Sequence, residues 1–370
     1  LLSLQFGPKL NLPKRLAVRH CAQDNFLFLR DGTQKDYDEY YASVANDTTH
    51  QEVASTAARS RISQLQASHL IAALGDFFNT PRKVMDFGCG EASLLVELAI
   101  LFPGSSFFGF DPGPAAATAI QKATALNLKN LSIRGLNEIQ GAAPYDLVIM
   151  SHVMEHLIDF DLIGLLATLT RMLYVEVPYA LGYATHQRRE FLYYFDRLHV
   201  NHFTPQALCN LVTRYGFGYL SHFEYAFPYR DGLSDYPAFG MLFQKGAETR
   251  NVESPRLLAV AQRYIHQEQA RARDVAGMID SFDGVLVWGA GDNFYRSAGN
   301  SGPLSNTRKM ILLDRRPQHI EIETGTFETL DPLQGLRQYP WPVIVTVSER
   351  RLEISSQIEK FDPDRRILFL

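Results

Sequence analysis

The sequence predicts an α/β protein: a doubly wound parallel sheet, followed by a second, smaller C-terminal α/β domain. Three observations carry this. Residues 84–95 (Val-Met-Asp-Phe-Gly-Cys-Gly-Glu-Ala-Ser-Leu-Leu) read as a buried strand, a tight glycine turn and a helix. Apolar runs then alternate with helical stretches up to residue 177, which is the grammar of parallel βαβ units. The same strand–turn–helix pattern returns at residues 285–294.

The elements follow in chain order. Residues 1–75 read as an N-terminal arm or lid, in which Asp36-Tyr-Asp-Glu-Tyr-Tyr41 leads through a polar stretch into a helix. Residues 76–250 hold the first sheet, with strands at 84–87, 106–111, 131–135, 145–150 and 173–177, the last stopped by Pro178. Within it, residues 180–245 are rich in aromatics and histidine and read as a substrate-facing insertion. Residues 251–370 form the second domain. It opens with a long helix from Ser254-Pro255 towards Ile279, since proline suits the first helical turn. Strands at 285–288, 310–314, 342–346 and 366–370 follow.

Composition sets limits. A chain of 370 residues, 46% of them hydrophobic, supports two domains with substantial cores. A formal net charge of -4 advertises no broad basic surface, so nucleic acid is not an expected partner. Cys21, Cys89 and Cys209 stand far apart with no C-x-x-C pair, which argues against a zinc knuckle or disulfide framework and suits a reducing cytosol. No apolar run approaches a membrane span, and the start Leu-Leu-Ser-Leu lacks the basic region of a signal peptide. A cytoplasmic protein without a membrane partner is therefore expected.

The glycine turn has a chemical meaning. Gly88 and Gly90 let the backbone turn sharply and keep side chains away from a ligand, while the helix start offers unpaired N–H groups. Asp111 ends the second strand roughly 20 residues later, where a carboxylate can accept the two hydroxyl protons of a ribose. Asp86-Phe-Gly-Cys-Gly90 resembles motif I of class I S-adenosylmethionine (SAM) methyltransferases. That resemblance implies a Rossmann-like fold and SAM as cofactor, with Asp86, Gly88, Cys89 and Gly90 along its methionine part and Asp111, followed by Pro112, at its ribose. An acid after the third strand would receive the adenine amino group. Leu136 holds that position here, leaving Asn137 and Glu138 as candidates. Ser151-His-Val-Met-Glu-His-Leu157 resembles the family's segment after the fourth strand, which adds Ser151 and His152 to the cofactor wall. The usual Lys-Pro-Gly-Gly turn is replaced by Leu169-Thr-Arg-Met172.

The three-part layout also resembles the deoxysugar C-methyltransferases, in which the C-terminal domain helps hold a nucleotide-linked sugar. Tyr40-Tyr41-Ala-Ser43 resembles a segment carrying an active-site tyrosine in that family, which points to Tyr41. The family's N-terminal zinc cluster is absent. Its acid–base Glu-His pair falls near Leu198-His199, where the histidine fits and the glutamate does not. O- and C-methylation both remain open. The expected function is methyl transfer from SAM to a small-molecule acceptor of the sugar or nucleotide-sugar type.

A hydroxyl acceptor needs a base, and histidine suits neutral pH. His199 is the preferred candidate, with His152 beside it as a pocket residue. His156 reads as catalytic or as a packed side chain, and His202, next to the helix cap Thr204, as structural. No metal is expected: His152 and His156 share a helix face, but Glu155 should project away from its neighbour. Tyr193, Tyr194 and Phe195 read as core, and Arg188, Arg189 and Glu190 as a solvated loop. Gly289, Gly291 and Asp314 imitate a dinucleotide site, but Phe294 replaces its third glycine, so this turn reads as substrate-binding or structural. Two alternatives remain. One is an NAD(P)-linked oxidoreductase or epimerase using the C-terminal domain; the other is a non-catalytic scaffold that buries residues 191–203 against another chain.

Overall fold

The computed structural model of the chain describes residues 1–9, 12–29, 33–43, 56–142, 144–186, 188, 190–228, 235–248, 250–299, 302–307, 309–316, 319–322, 325–347 and 350–370. They form two compact units. One comprises Leu1–Arg19, Gln187–Arg197 and Ala259–Leu370, and the other His20–His186 and Leu198–Leu258.

The first strands, β1 (Leu2–Gln5) and β2 (Arg15–Cys21), pair antiparallel with Leu2 opposite Val18. The second unit then begins with β3 (Phe26–Leu29), α1 (Gln34–Ser43) and α2 (Thr56–Leu74). Four βα steps and a fifth strand follow. They are β4 (Lys83–Phe87), α3 (Ser93–Leu101), β5 (Ser106–Phe110), α4 (Ala115–Ala125), β6 (Leu131–Ile133), α5 (Leu136–Ala142), β7 (Leu147–Ser151), α6 (Asp161–Leu169) and β8 (Met172–Pro178). The short β9 (Asn201–His202) pairs with β3, and α7 (Pro205–Thr213) leads into the long strands β10 (Phe217–Pro228) and β11 (Asp235–Lys245).

Seven of these strands make one sheet, in the order β10-β11-β8-β7-β4-β5-β6. β4 to β8 run parallel, while β11 enters antiparallel to β8 and β10 antiparallel to β11. Residues 217–245, read from the sequence as part of an aromatic insertion, thus complete the sheet. Their alternation was masked because β11 is buried almost end to end, as central strands are. Met85, Val148, Met150 and Val175 pack on one face, and Val84, Leu147, Ile149 and Tyr174 on the other. Strand order reverses between β4 and β7, so their C-terminal ends flank the crevice where such sheets bind ligands.

Two details of this unit depart from local expectation. The helix expected from Ser254-Pro255 starts at Leu257 as α8 (Leu257–Ile279). Its first N–H is met by a distant side chain: Asn25 Oδ1 accepts from Leu257 N at 2.8 Å, and Asn25 Nδ2 donates to Pro255 O at 2.8 Å. Gly240, opposite Glu176 in the ladder, leaves room for the Tyr174 ring; a Cβ there would lie 2.1 Å from the Tyr174 hydroxyl.

The other unit carries β12 (Val285–Trp288), α9 (Asp292–Ala298), β13 (Met310–Leu313), β14 (His319–Ile322), β15 (Gly325–Leu330), α10 (Pro332–Gln338), β16 (Val343–Val345), α11 (Arg351–Phe361) and β17 (Ile367–Phe369). Its sheet order is β14-β15-β13-β12-β16-β17, parallel except for the β14–β15 hairpin at one edge. That hairpin was not read from the sequence, because its alternation is short and one face is polar. Residues 1–19 and 187–197 are built into this unit. Arg197, fully buried, donates from Nη1 to Gly7 O at 2.6 Å and from Nη2 to Asp292 Oδ1 at 2.7 Å.

Gly240→Ala is expected to cost about 2 kcal/mol or more, the penalty of forcing a methyl into a filled core. Urea unfolding of the wild type and variant checks this; equal midpoints would contradict the packing described for Tyr174.

Candidate functional site

The crevice begins at the end of β4. The chain turns through Gly88 (φ 78°), Cys89 and Gly90 (φ 53°) into α3. Gly88 N and Cys89 N both donate to Phe110 O, at 2.7 and 2.9 Å, which pins the turn to the end of β5. At Gly88 a Cβ would come within 2.5 Å of Val153 Cγ2, so only glycine permits this crossing. At Gly90 a Cβ would meet nothing within 4 Å: this is the open side of the turn. The Cys89 thiol packs over Gly109, and burial pushes its pKa far above the usual range. It is the backbone at Cys89, then, that shapes the loop.

Asp111 joins this turn to the next one. Its Oδ2 accepts from Gly90 N at 2.8 Å and its Oδ1 from Gly113 N at 2.7 Å, with Pro112 between the two turns. Each carboxylate oxygen keeps a second lone pair, and the residue is half-buried. Asp86 is buried behind the loop. Burial, with the nearby charges of Glu176 and Asp111, pushes its pKa up to about 8. Its Oδ1 has no hydrogen-bond partner among the described residues. An open glycine edge, a diol-ready carboxylate and an acid lacking a donor fit a ligand that is cationic and carries a ribose, as SAM does. Asn137 and Glu138, in the first turn of α5, are both exposed, and Glu138 Oε2 accepts from Gly135 N at 2.9 Å to close its own helix start.

Beyond the end of β7 lies a buried acid–imidazole network. Glu176, on β8, is 1% exposed, yet it gathers donors from four elements. Its Oε1 accepts from Gln66 Nε2 at 2.6 Å and Ser151 Oγ at 2.8 Å, and stands 3.2 Å from His152 Nε2. Its Oε2 accepts from the Tyr225 hydroxyl and, at 3.4 Å, from that of Tyr174. His152 sits at φ 56°, a conformation that costs a non-glycine residue of order 1 kcal/mol and collects at functional sites. This turns its ring between two carboxylates, with Nδ1 3.0 Å from Glu155 Oε1. Burial lowers the imidazole's pKa, but the bonds and charges of Glu155 and Glu176 outweigh it and hold His152 well above the usual histidine range. Burial would raise Glu155, but His152, His156 and His199 together drive it down. At neutral pH His152 is therefore an imidazolium, positioned to bind charge and unable to take up a proton.

The remaining candidates converge next to it. Met154–His156 is a single 3-10 turn, and it brings Glu155 and His156 together: His156 Nε2 lies 4.0 Å from Glu155 Oε1. The expectation that Glu155 projects away from His156 assumed an α-helix, and it does not hold in this tighter turn. The Tyr41 hydroxyl lies 2.8 Å from His156 Nδ1, and the His156 and His199 rings are 4.9 Å apart. Glu176, Gln66 and Tyr225 had not been singled out from the sequence. A charged residue inside the apolar run of β8 was the available signal for Glu176; nothing local marked the other two.

Elsewhere the structure sorts the candidates differently. His202 is fully buried, with Nδ1 2.9 Å from the Tyr183 hydroxyl, and Thr204 caps α7 by accepting from Ala207 N. Tyr194 and Phe195 pack on Tyr264 as core. Arg188 and Glu190, expected in a solvated loop, are buried; the Arg188 guanidinium lies over the Tyr193 ring at 4.8 Å, which offsets the loss of water. Arg189 lies outside the described residues, and Ser43 is described only in its backbone. At the C-terminal turn, Gly289 is covered by Val347, and Asp314 Oδ2 accepts from Ala290 N at 3.4 Å. Asp292 opens α9 and already binds Arg197, Gly7 N and, at 3.1 Å, Lys9. A carboxylate so placed occupies the position a pyrophosphate would take.

Residues 59–222 match a family model described as a methyltransferase domain. Among solved structures, the chain is similar to the magnesium protoporphyrin IX methyltransferase of Synechocystis PCC 6803 with bound SAH. The identity is 20%, over 58% of this chain and 100% of that one, with a TM-score of 0.42. It is also similar to a putative sarcosine dimethylglycine methyltransferase from Galdieria sulphuraria, at 16% identity over 49% and 84% of the two chains and a TM-score of 0.38. The N-terminal domain of EvdMO1 with SAH bound shows 13% identity over 50% and 81%, with a TM-score of 0.35. No curated protein matches the sequence.

Two outcomes are expected. Asp111→Ala should weaken binding of S-adenosylhomocysteine (SAH) by roughly 10- to 100-fold, the worth of a charged hydrogen-bonding pair, in calorimetric titration. Asp86 should make stability fall as pH rises. Its folded-state pKa of about 8 lies above the unfolded value of 3.8, so between these pH values the folded chain holds a proton that the unfolded chain releases. Asp86→Asn should therefore gain on the wild type by about 1–3 kcal/mol at pH 8 and by almost nothing at pH 4. Urea unfolding across that range would show a constant difference if Asp86 were ionised throughout.

Proposed function

We propose that this chain is a SAM-dependent methyltransferase acting on a small polar acceptor of the sugar or nucleotide-sugar class, with a hydroxyl as the first candidate for the methylated atom. The observation that carries the reading is the cluster of Tyr41, His156 and His199 beside the cofactor loops. The Tyr41 carbonyl lies 3.8 Å from where a Cβ on Gly113 would stand, so the end of α1 meets the Asp111 turn on one side and the imidazoles on the other.

When bound, SAM supplies a methyl group on a cationic sulfur, and transfer is an in-line displacement governed by alignment. The protein's part is to hold the cofactor and manage the acceptor's proton. Asp111 receives the ribose hydroxyls, and the Asp111 and Glu176 carboxylates give the pocket a negative interior that suits a sulfonium and favours it over the neutral product, while Asp86 keeps its proton behind the loop. His152, already charged, orients Glu155 and Glu176. That leaves His199 and the Tyr41–His156 pair to receive the acceptor's proton.

The alternatives are less well supported. A dinucleotide reading meets the Asp292 carboxylate at the start of α9. A scaffold reading needs residues 191–203 free to cover a partner, yet Phe191, Leu192, Tyr194, Phe195, Val200 and Phe203 are buried within this chain.

The test is a mass-shift screen of nucleotide-activated sugars with SAM. A product heavier by one methylene unit, formed at the expense of SAM, is expected. His199→Ala should then lower kcat by about 100-fold or more while SAH binding stays unchanged. A variant with full kcat would remove His199 from the chemistry.

A further inference from the structure

We propose that Glu155, His156 and His199 form a binding site for a divalent first-row transition-metal ion. The three side chains come from two places, the single turn after β7 and the loop before β9. Each brings a ligand atom to within 4.8 Å of the other two. Metal–nitrogen and metal–oxygen distances of about 2.0–2.2 Å place the ligand atoms of one ion roughly 3.3–4.3 Å apart, so the cluster closes on an ion with shifts of about half an ångström. The 4.0 Å between His156 Nε2 and Glu155 Oε1 already falls in that range, and it is too long for a hydrogen bond.

Three further features set this cluster apart from a chance encounter of side chains. Glu155 is fully buried, and its Oε2 has no hydrogen-bond partner among the described residues. A carboxylate oxygen shut away from water without a donor is costly, and a cation removes that cost. His156 is oriented as metal-binding imidazoles are. Its Nδ1 lies 2.8 Å from Leu198 O, an acceptor, so the ring hydrogen sits there and the Nε2 lone pair is directed to the Glu155 side. Glu155 is itself held in place, since its Oε1 takes a hydrogen bond from His152 Nδ1.

Two imidazoles and one carboxylate suit zinc, manganese, iron or cobalt in their divalent states, whereas magnesium and calcium favour all-oxygen sites. Three protein ligands leave coordination positions open. Oxygen atoms of the acceptor are the natural occupants, and a pair of adjacent hydroxyls would chelate through two of them. That role rests on the methyltransferase reading and, with the ion bound, replaces the proton-accepting role of His156 and His199; the metal site itself does not depend on it.

The experiment uses the whole chain, stripped with a chelator and titrated with Co2+ while its visible absorption is followed, with SAH titration run in parallel. One Co2+ per chain is expected, bound at least tenfold more weakly by His199→Ala and by Glu155→Gln, with SAH affinity unchanged within about threefold. Should buried Glu155→Gln lose SAH binding as well, His199→Ala alone decides. A wild type that binds SAH but no Co2+ would overturn the proposal, as would Co2+ binding that His199→Ala retains in full. Co2+ binding without SAH binding would instead defeat the methyltransferase reading and leave the metal site standing.

Discussion

The site depends on one buried carboxylate. Glu176 lies inside a β-sheet where an ionised side chain is tolerated only if its lone pairs are filled. They are filled from α2 by Gln66, from the end of β7 by Ser151 and His152, and from β10 by Tyr225. Tyr174 reaches it as well, through the gap left by Gly240. A single charge thus fixes the relative positions of a helix, three strands and the turn that carries the imidazoles. Removing it would leave His152 with one carboxylate partner and four polar groups without their acceptor.

The charges of the crevice are arranged in layers. Glu176 and Asp111 lie close enough to Asp86 to add to the cost that burial sets on ionising it. His152 stands among the acids as a fixed positive charge. Beside the cofactor loops, Tyr41, His156 and His199 supply groups able to exchange a proton or ligate a cation. Such an interior would hold a sulfonium more tightly than the neutral thioether left after transfer, which favours product release.

Much of this was legible in the sequence. The glycine turn, Asp111 and the alternation of strand and helix follow from local rules, and they lie where those rules place them. Long-range and positional features were not legible. Asn25 caps a helix in place of Ser254, and no local pattern marks a partner so distant. The meeting of Glu155 with His156 depends on a 3-10 turn three residues long, shorter than any periodicity can register. The strand 235–245 was hidden by being buried on both faces. Gln66 and Tyr225 are ordinary residues on a helix and a strand, significant only because the fold brings both to Glu176.

The burial of Arg197 has a kinetic consequence. Its partners are Gly7, made far earlier, and Asp292, which is synthesised 95 residues later. The unit that holds it also takes in β17, whose neighbour Leu370 accepts from Asn293 Nδ2 at 2.8 Å. By contrast, the unit bearing the cofactor loops needs nothing beyond Leu258. On a ribosome the half with the cofactor-type glycine turn can therefore close while Arg197, next to the last loop before β9, still waits in water for its counter-ion. The two halves should mature in sequence on the ribosome, with Arg197 docking only after Asp292 has been made.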